Sequence, residues 1–230
     1  MPTPKAFIFD LGNTLIHTQR AEPFHQRLEE LGASRDLSEI QDAFDYTDRY
    51  FMKNYPGELG QDPAVFYGKY LSLMLAYLHV LNGTQEELYR LVFEKSPPRS
   101  SWIPYEETIP FLRELHARGS KVGLLTNWDL GARALLHQLG LDGFFQSIVV
   151  SSEIGAEKPS PKGFLFSLEE LGVSPEEALY VGDNYYDDVK GANGVGMRAA
   201  LLNRTKWHSG RMEGNYLDIT SLSELLSLPL

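Results

Sequence analysis

The sequence predicts an α/β protein: a Rossmann-like core with a parallel sheet, interrupted by an inserted all-α domain. Three observations lead to this prediction. A short apolar and aromatic run at residues 6–9 is typical of a buried parallel strand, and it ends at Asp10. Residues 17–102 show helical periodicity and no strand-like runs. In the remainder of the chain, strand-like and helix-like segments alternate. We therefore expect a discontinuous core of residues 1–16 and 103–230 with a helical insert between them.

The insert is predicted to contain four helices, because its apolar residues recur at spacings of three and four. The first three are centred on Phe24 to Leu31, Ile40 to Phe51 and Phe66 to Leu78. Gly32 is the expected end of the first helix. The fourth is expected around Leu88 to Val92, closed by the two prolines that follow.

The core is predicted to alternate strands with helices, which indicates a parallel sheet covered on both faces. Pro161 and Gly172 mark the start and the end of one of these helices. The expected strands are residues 6–9, 122–126, 147–151, 178–181, 197–202 and 216–219. The expected helices are residues 106–118, 130–139 and 161–171, with a helical turn at 186–194 and a short helix at 221–228.

The composition argues against several classes of function. The formal net charge is -10 and no cluster of lysine and arginine is present, which disfavours a nucleic-acid partner. The absence of cysteine removes disulfides, thiolate nucleophiles and cysteine-ligated zinc. No apolar stretch approaches the ~20 residues of a membrane helix, and the run before Asp10 is too short for a signal peptide. We therefore expect a soluble, cytoplasmic protein with no membrane partner.

Polar residues that could carry chemistry follow several of the predicted strands. In sheets of this kind, ligands bind at the carboxyl ends of the strands. Acidic groups gathered there need a cation, and oxygen-only ligands suit Mg²⁺. A magnesium ion beside a lysine and a threonine suits phosphoryl transfer. The residues in question are Asp10, Thr126, Asn127, Lys158, Gly182, Asp183, Asp187 and Asp188.

Four segments resemble, in order, the four motifs of the haloacid dehalogenase superfamily. They are Phe9-Asp10-Leu11-Gly12-Asn13-Thr14-Leu15, Leu125-Thr126-Asn127, Glu157-Lys158-Pro159 and Val181-Gly182-Asp183-Asn184-Tyr185-Tyr186-Asp187-Asp188. Each motif alone is a weak signal, but four in order, each at a strand end, are a strong one. The insert resembles the helical C1 cap of the phosphatase branch. The resemblance covers the whole core and implies a magnesium-dependent phosphohydrolase.

The resemblance also implies a role for each matching residue. Asp10 would be the nucleophile, forming an aspartyl-phosphate, and a magnesium ligand. The backbone carbonyl of Gly12 and the carboxylate of Asp183 would be further ligands, and Asp188 or Asp187 would hold a metal-bound water. The phosphoryl group would be bound by Thr126, Lys158 and the backbone N–H groups of Leu11, Gly12 and Asn127.

One position departs from the family pattern. The family's phosphatases usually carry a second aspartate two residues after the nucleophile, which protonates the leaving oxygen and later activates water. Here that position is Gly12, which does neither. Three interpretations follow: the enzyme is slow or prefers good leaving groups; His17, Asp129 or Tyr185 substitutes; or activity is lost and the phosphate site only binds.

Other functions and simpler structural roles remain open at this stage. A 2-haloacid dehalogenase would use the same Asp10 without metal, but such enzymes typically lack the Gly-Asp pair of the fourth motif. A non-catalytic phosphate- or partner-binding protein is the other alternative. Asp10 could cap a turn, Thr126 could satisfy a strand end, Lys158 could be a solvated surface residue and Asp187 could cap a helix. A small metabolite phosphate is the expected substrate, and either a monomer or a homodimer is compatible with the sequence.

Overall fold

The computed structural model describes residues 4–61, 63–80, 102–204 and 212–227. The chain divides into two compact units, one of Met1–His17 with Pro104–Leu230 and the other of Thr18–Ile103. We call them the α/β unit and the helical unit and describe each by itself. The predicted fourth helix, around Leu88 to Val92, lies outside the described residues.

The α/β unit contains a parallel six-stranded sheet, which confirms the predicted fold class. Its strands lie in the order β5-β4-β1-β6-β7-β8. Their bounds are β1 Ala6–Phe9, β4 Lys121–Thr126, β5 Ser147–Val150, β6 Ala178–Gly182, β7 Arg198–Leu202 and β8 Tyr216–Ile219. These bounds agree with the predicted strands to within one residue at each end. The sequence did not predict the order of the strands.

The strand order determines where a ligand site can form. β1 is central and fully buried, which explains its continuous apolar sequence. Its last residue, Phe9, is in register with Leu124 of β4 and Val181 of β6. The chain winds outward from β1 through β4 to β5, then crosses back to β6 and winds outward to β8. The carboxyl ends of β1, β4 and β6 therefore lie together at the switch point, where ligands bind in such sheets.

The second, two-stranded sheet was not predicted. It consists of β2 Ile16–Thr18 and β3 Trp102–Pro104. Strands of three residues are too short to show an alternating pattern, which explains why they were not recognised from the sequence. They lie where the chain passes between the two units.

The helical unit contains the first three predicted helices. These are α1 Ala21–Glu30, α2 Leu37–Asn54 and α3 Pro63–Tyr77. α1 ends before Gly32, which has a φ of 68°. α2 begins with a capping box formed by Asp36 and Glu39. The apolar faces of the three helices bury a shared core that includes Phe24, Ile40, Phe51, Tyr70 and Met74.

The α/β unit has five α-helices among its described residues. They are α4 Thr108–Ala117, α5 Ala132–Gln138, α6 Ser151–Ile154, α7 Pro161–Leu171 and α8 Lys190–Gly194. α6 was not predicted. The helical turn predicted at 186–194 is a π-helix, Tyr185–Val189, continued by α8, and the predicted terminal helix is a 3₁₀-helix, Leu222–Ser227. Among the residues that the structure describes, no helix combines the length and apolar character needed to cross a membrane.

Candidate active site

Three carboxylates meet at the switch point of the sheet. Asp10 follows β1, Asp183 follows β6, and Asp188 lies in the π-helix that comes after it. One oxygen from each carboxylate lies within 4.8 Å of the oxygens from the other two. Asp10 and Asp188 are buried and Asp183 is partly buried. These are three of the acids that the motifs predicted to converge.

The ammonium group of Lys158 lies against this carboxylate cluster. Its Nζ donates to Asp10 Oδ1 at 2.6 Å, to Asp188 Oδ1 at 2.7 Å and to the Tyr180 hydroxyl at 2.9 Å. The side chain is only 4% exposed. Lys158 is therefore not the solvated surface residue that the sequence left as an alternative, and its three N–H donors are all used.

Asn127 holds the backbone of Lys158 in place. The side-chain Oδ1 of Asn127 accepts from the Lys158 N–H at 2.7 Å, and its Nδ2 donates to the Lys158 carbonyl at 3.1 Å. The following peptide bond, Lys158-Pro159, is cis, and Pro161 begins α7 directly afterwards. The sequence assigned only the backbone N–H of Asn127 to the site, so this use of its side chain was missed.

Tyr180 is a second residue that sequence reasoning missed. It lies in the middle of β6 with no exposed surface. Its hydroxyl accepts from Lys158 Nζ and donates to the Leu125 carbonyl at 2.9 Å. Burial raises the pKa of the phenol well above its ordinary value, so Tyr180 keeps its proton. The only signal in the sequence is a polar atom in an otherwise apolar strand.

The start of the π-helix positions Asp188. The Asn184 backbone N–H donates to Asp188 Oδ2 at 2.9 Å, and the Asp188 N–H donates to the Asn184 carbonyl at 2.8 Å. Gly182 makes room for this arrangement, because a Cβ built there would overlap the Asp188 carboxylate. Asp187 instead accepts from Asn184 Nδ2 at 2.9 Å. The geometry thus places Asp188, rather than Asp187, in the carboxylate cluster.

Burial and mutual repulsion determine the ionisation of the cluster. Burial raises the pKa of Asp10 from 3.8 to about 6, although the Lys158 ammonium acts in the opposite direction. Burial, followed by repulsion from Asp10 and Asp188, raises the pKa of Asp183 well above its usual value. Burial disfavours the charged form of Lys158, but attraction to the carboxylates of Asp10 and Asp188 raises its pKa overall. The lysine is therefore a permanent cation.

The donor set of this cluster fits a divalent cation. When all groups are ionised, three carboxylates and one ammonium leave a net charge of -2, that is, three negative charges against one positive. A divalent cation balances that charge. The donors are all carboxylate oxygens, which Mg²⁺ prefers as ligands, and a magnesium ion commonly keeps several waters in its octahedral shell. The residues present are thus suited to magnesium.

The remaining motif residues lie around the same edge of the sheet. Thr126 is the last residue of β4 and is buried. Leu11 is also buried, and its carbonyl accepts from the N–H groups of Leu15 and Ile16, which closes the loop that contains Gly12. Thr14 Oγ1 donates to Asp183 Oδ1 at 3.4 Å. The loop after β1 is therefore tied to the residue that follows β6.

The three substitutes considered for the missing acid all make other contacts. His17 stacks on Tyr105 with the ring centroids 4.5 Å apart, and burial together with the Arg204 guanidinium lowers its pKa. Asp129 Oδ1 accepts from the Gly131 N–H at 2.7 Å. The Tyr185 hydroxyl donates to the Glu213 carbonyl at 2.8 Å.

Comparison with known proteins agrees with this geometry. The model of a hydrolase family, haloacid dehalogenase-like hydrolase, matches residues 4–196. The chain belongs to the haloacid dehalogenase-like hydrolase family. A glyceraldehyde 3-phosphate phosphatase of Methanopyrus kandleri is 42% identical over 110 residues, 45% of each chain. A phosphatase of Mycobacterium tuberculosis is 35% identical over 69% of this chain and 70% of its own.

Solved structures of this hydrolase family share the fold over nearly the whole chain. A phosphatase from Thermococcus onnurineus has a TM-score of 0.59 and 27% identity, covering 96% of this chain and 95% of its own. Dehalogenases of 20 to 23% identity also match, and at that level the likeness shows the fold alone. The chain spans about half the length of the glyceraldehyde 3-phosphate phosphatases that it matches.

Proposed function

We propose that this hydrolase is a magnesium-dependent phosphomonoester hydrolase that acts through an aspartyl-phosphate on Asp10. One observation carries the proposal: three carboxylates lie together, two of them are paired with one buried lysine, and the group leaves a charge that a divalent cation balances. The phosphatase relatives support the same activity. The carboxylates of Asp10, Asp183 and Asp188 and the Gly12 carbonyl would hold the ion, which would supply charge neutralisation at the phosphoryl group.

In the first step, a carboxylate oxygen of Asp10 attacks phosphorus. A bond forms between this oxygen and phosphorus, and the bond between phosphorus and the ester oxygen breaks. The ester oxygen leaves with the bonding electrons and takes a proton from solvent, since Gly12 has none to give. Lys158 offsets the repulsion between the attacking carboxylate and the phosphate, which otherwise makes the attack of one anion on another unfavourable.

In the second step, the oxygen of a water molecule attacks the phosphorus of the aspartyl-phosphate, one O–H bond of that water breaks, and its proton passes to solvent. The bond between Asp10 and phosphorus breaks, inorganic phosphate is released and the carboxylate is restored. Thr126 and the backbone N–H groups of Leu11, Gly12 and Asn127 would bind the phosphoryl oxygens in both steps. The ionised form of Asp10 is the reactive one, so activity requires a pH above the pKa of its carboxyl group.

The substrate class that we propose is a small metabolite phosphate, which the phosphatase relatives support. We also propose that the helical unit is the C1 cap of the family. This assignment is supported by the position of the helical unit in the chain. It lies between β1, which is followed by Asp10, and β4, which ends at Thr126. Caps that close over a site commonly contribute to substrate choice and turnover.

The test is turnover of p-nitrophenyl phosphate by the purified protein with Mg²⁺ and with EDTA. The nitrophenolate leaving group needs no acid, so the assay isolates the nucleophile from the missing acid at position 12. We expect turnover that requires Mg²⁺ and is lost in Asp10→Asn. Asp142→Asn is the matched control, because the Asp142 side chain is 47% exposed and lies outside the carboxylate cluster.

Two outcomes would contradict the proposal. Turnover of 2-chloropropionate without metal, combined with no turnover of any phosphate ester, would identify a dehalogenase. Binding of inorganic phosphate without turnover of either substrate would identify a non-catalytic phosphate-binding protein.

A further inference from the structure

We propose that Tyr180 is a positioning residue for this reaction: its hydroxyl fixes the ammonium of Lys158 while the other two partners of that ammonium change. The expected effect of Tyr180 on turnover rests on the proposed function. The geometric part of the inference stands on the hydrogen bonds of the site alone.

The direction of each hydrogen bond at the Tyr180 hydroxyl follows from its partners. The Leu125 carbonyl only accepts, so the single phenol proton must point to that oxygen, at 2.9 Å. The hydroxyl oxygen is then free to accept from Lys158 Nζ, also at 2.9 Å. An ammonium group only donates, so this assignment satisfies all three groups at once.

Packing fixes the hydroxyl in space. Tyr180 is completely buried, and its ring lies 5.0 Å from the ring of Phe164 in α7. α8 closes on Phe164 from another direction, because a Cβ built on Gly191 would overlap the Phe164 ring. The phenol is therefore held between a central strand and two helices. By contrast, Lys158 has four side-chain torsions, and Asn127 restrains only its backbone.

The three partners of the Lys158 ammonium behave differently during the proposed reaction. Asp10 loses its negative charge when it becomes the aspartyl-phosphate, which weakens its hydrogen bond to Lys158. Asp188 belongs to the carboxylate set proposed to hold the cation. Tyr180 is neutral and takes no part in either change. It is the one partner among the described contacts of Nζ that stays the same throughout.

The consequence is that Tyr180 keeps the ammonium aligned when the contact with Asp10 is exchanged for the phosphoryl group. Without the hydroxyl, Nζ would lack one of its three acceptors and would be drawn further toward the two carboxylates. Small misplacements of a positioned group can cost as much as ~10²-fold in rate. The effect should fall on kcat, because the contact matters most after Asp10 has reacted.

The kinetic test is Tyr180→Phe, which keeps the ring and its packing and removes only the hydroxyl. Tyr216→Phe is the matched control: Tyr216 is also buried, and its hydroxyl accepts from the Met212 N–H at 2.9 Å, away from Lys158. We expect Tyr180→Phe to lower kcat on p-nitrophenyl phosphate about 10- to 100-fold. Because the slowed step follows formation of the aspartyl-phosphate, KM should fall together with kcat, kcat/KM should change less than about threefold, and Tyr216→Phe should keep wild-type kcat. Equal kcat in Tyr180→Phe and wild type, or equal losses in both variants, would overturn the inference.

A second measurement does not depend on activity. Thermal unfolding in EDTA is compared for wild type, Tyr180→Phe, Lys158→Met and the double variant. We expect Tyr180→Phe to lower the melting temperature by about 3 to 8 °C in the wild-type background, because a charged donor loses its acceptor. The loss should be at most about half as large in the Lys158→Met background, where that donor is absent.

Equal losses in the two backgrounds would show that the hydroxyl does not act through Lys158. If the coupling is present but the wild-type protein hydrolyses no phosphate ester, the proposed function fails while the geometric assignment stands. If the protein is active and Tyr180→Phe is not impaired, the inference fails while the proposed function stands.

Discussion

Replacing Asp10 by asparagine should stabilise the metal-free protein at neutral pH while abolishing its activity. Burial raises the pKa of this carboxyl from 3.8 to about 6, so the folded protein holds the ionised form at a cost. Asparagine is nearly isosteric and never ionises. The variant therefore avoids that cost at every pH.

The size of the effect follows from the pKa difference. A raised folded-state pKa gives stability that is fully present below the unfolded value and is lost as the pH rises through about 6. The difference between 3.8 and about 6 corresponds to about 3 kcal/mol, at about 1.4 kcal/mol per pKa unit. We take as the baseline the difference in free energy of unfolding between Asp10→Asn and wild type at a pH where Asp10 is protonated. Relative to that baseline, the difference should favour the variant by about 3 kcal/mol at pH 8 and by less than about 1 kcal/mol at pH 4.

The assay is urea unfolding in EDTA at pH 4, 6 and 8, comparing wild type with Asp10→Asn. Asp142→Asn serves as the control: its exposed carboxylate accepts a hydrogen bond from His137 at 2.8 Å, which lowers its pKa, so removing it gives no stabilisation that grows with pH. Mg²⁺ at 100 times its dissociation constant should stabilise wild type by about 2.7 kcal/mol, and the same concentration should stabilise Asp10→Asn less. A stability difference that does not change with pH, or one that shrinks from pH 4 to pH 8, would refute the reasoning.

Three further perturbations test other parts of the molecule. Gly12→Asp should raise kcat/KM for alkyl phosphates by about 10²-fold with little effect on p-nitrophenyl phosphate, because it adds the missing acid, and comparing the two substrates measures this. Gly182→Ala should raise the Mg²⁺ concentration needed for half-maximal activity about 10-fold or more, because its Cβ displaces Asp188; Gly143→Ala, which has open space at the Cβ position, should not. Arg20→Met should destabilise the helical unit by about 3 to 5 kcal/mol in urea unfolding, because it leaves the buried Asp48 carboxylate without its charged partner.

Much of the fold was predictable because its central strands have a simple local signature. β1 is buried on both faces, so its sequence is uniformly apolar, and the polar residue that ends it is conspicuous. β6 is also buried along its length, and an acidic residue, Asp183, follows it directly. Once two such strands are placed in one parallel sheet, Asp10 and Asp183 must lie at the same edge. That step needs no side-chain coordinates.

Other features were not predictable because they depend on register and packing. The role of Tyr180 requires β6 to lie beside β1 with a defined register. It also requires the segment before α7 to bring the Lys158 ammonium to the Tyr180 hydroxyl. The choice of Asp188 over Asp187 depends on the π-helix, in which one extra residue per turn changes the direction of the side chains. Neighbouring aspartates give no indication of that turn in the sequence. β2 and β3 are too short to have a periodic pattern.

The imbalance of charge at the site separates a functional arrangement from a structural one. A buried ion network that serves only the fold is expected to pair its charges, because each unpaired buried charge is costly. The helical unit has such a network, in which Arg20 pairs with Asp48 and the Tyr70 hydroxyl donates to the same carboxylate at 2.5 Å. The cluster around Lys158 contains two more carboxylates than cations. Burial in this cluster raises the pKa of Asp10. A fold gains nothing from this excess unless a cation completes it, and we therefore regard the excess carboxylates as the strongest physical argument for a metal-dependent activity.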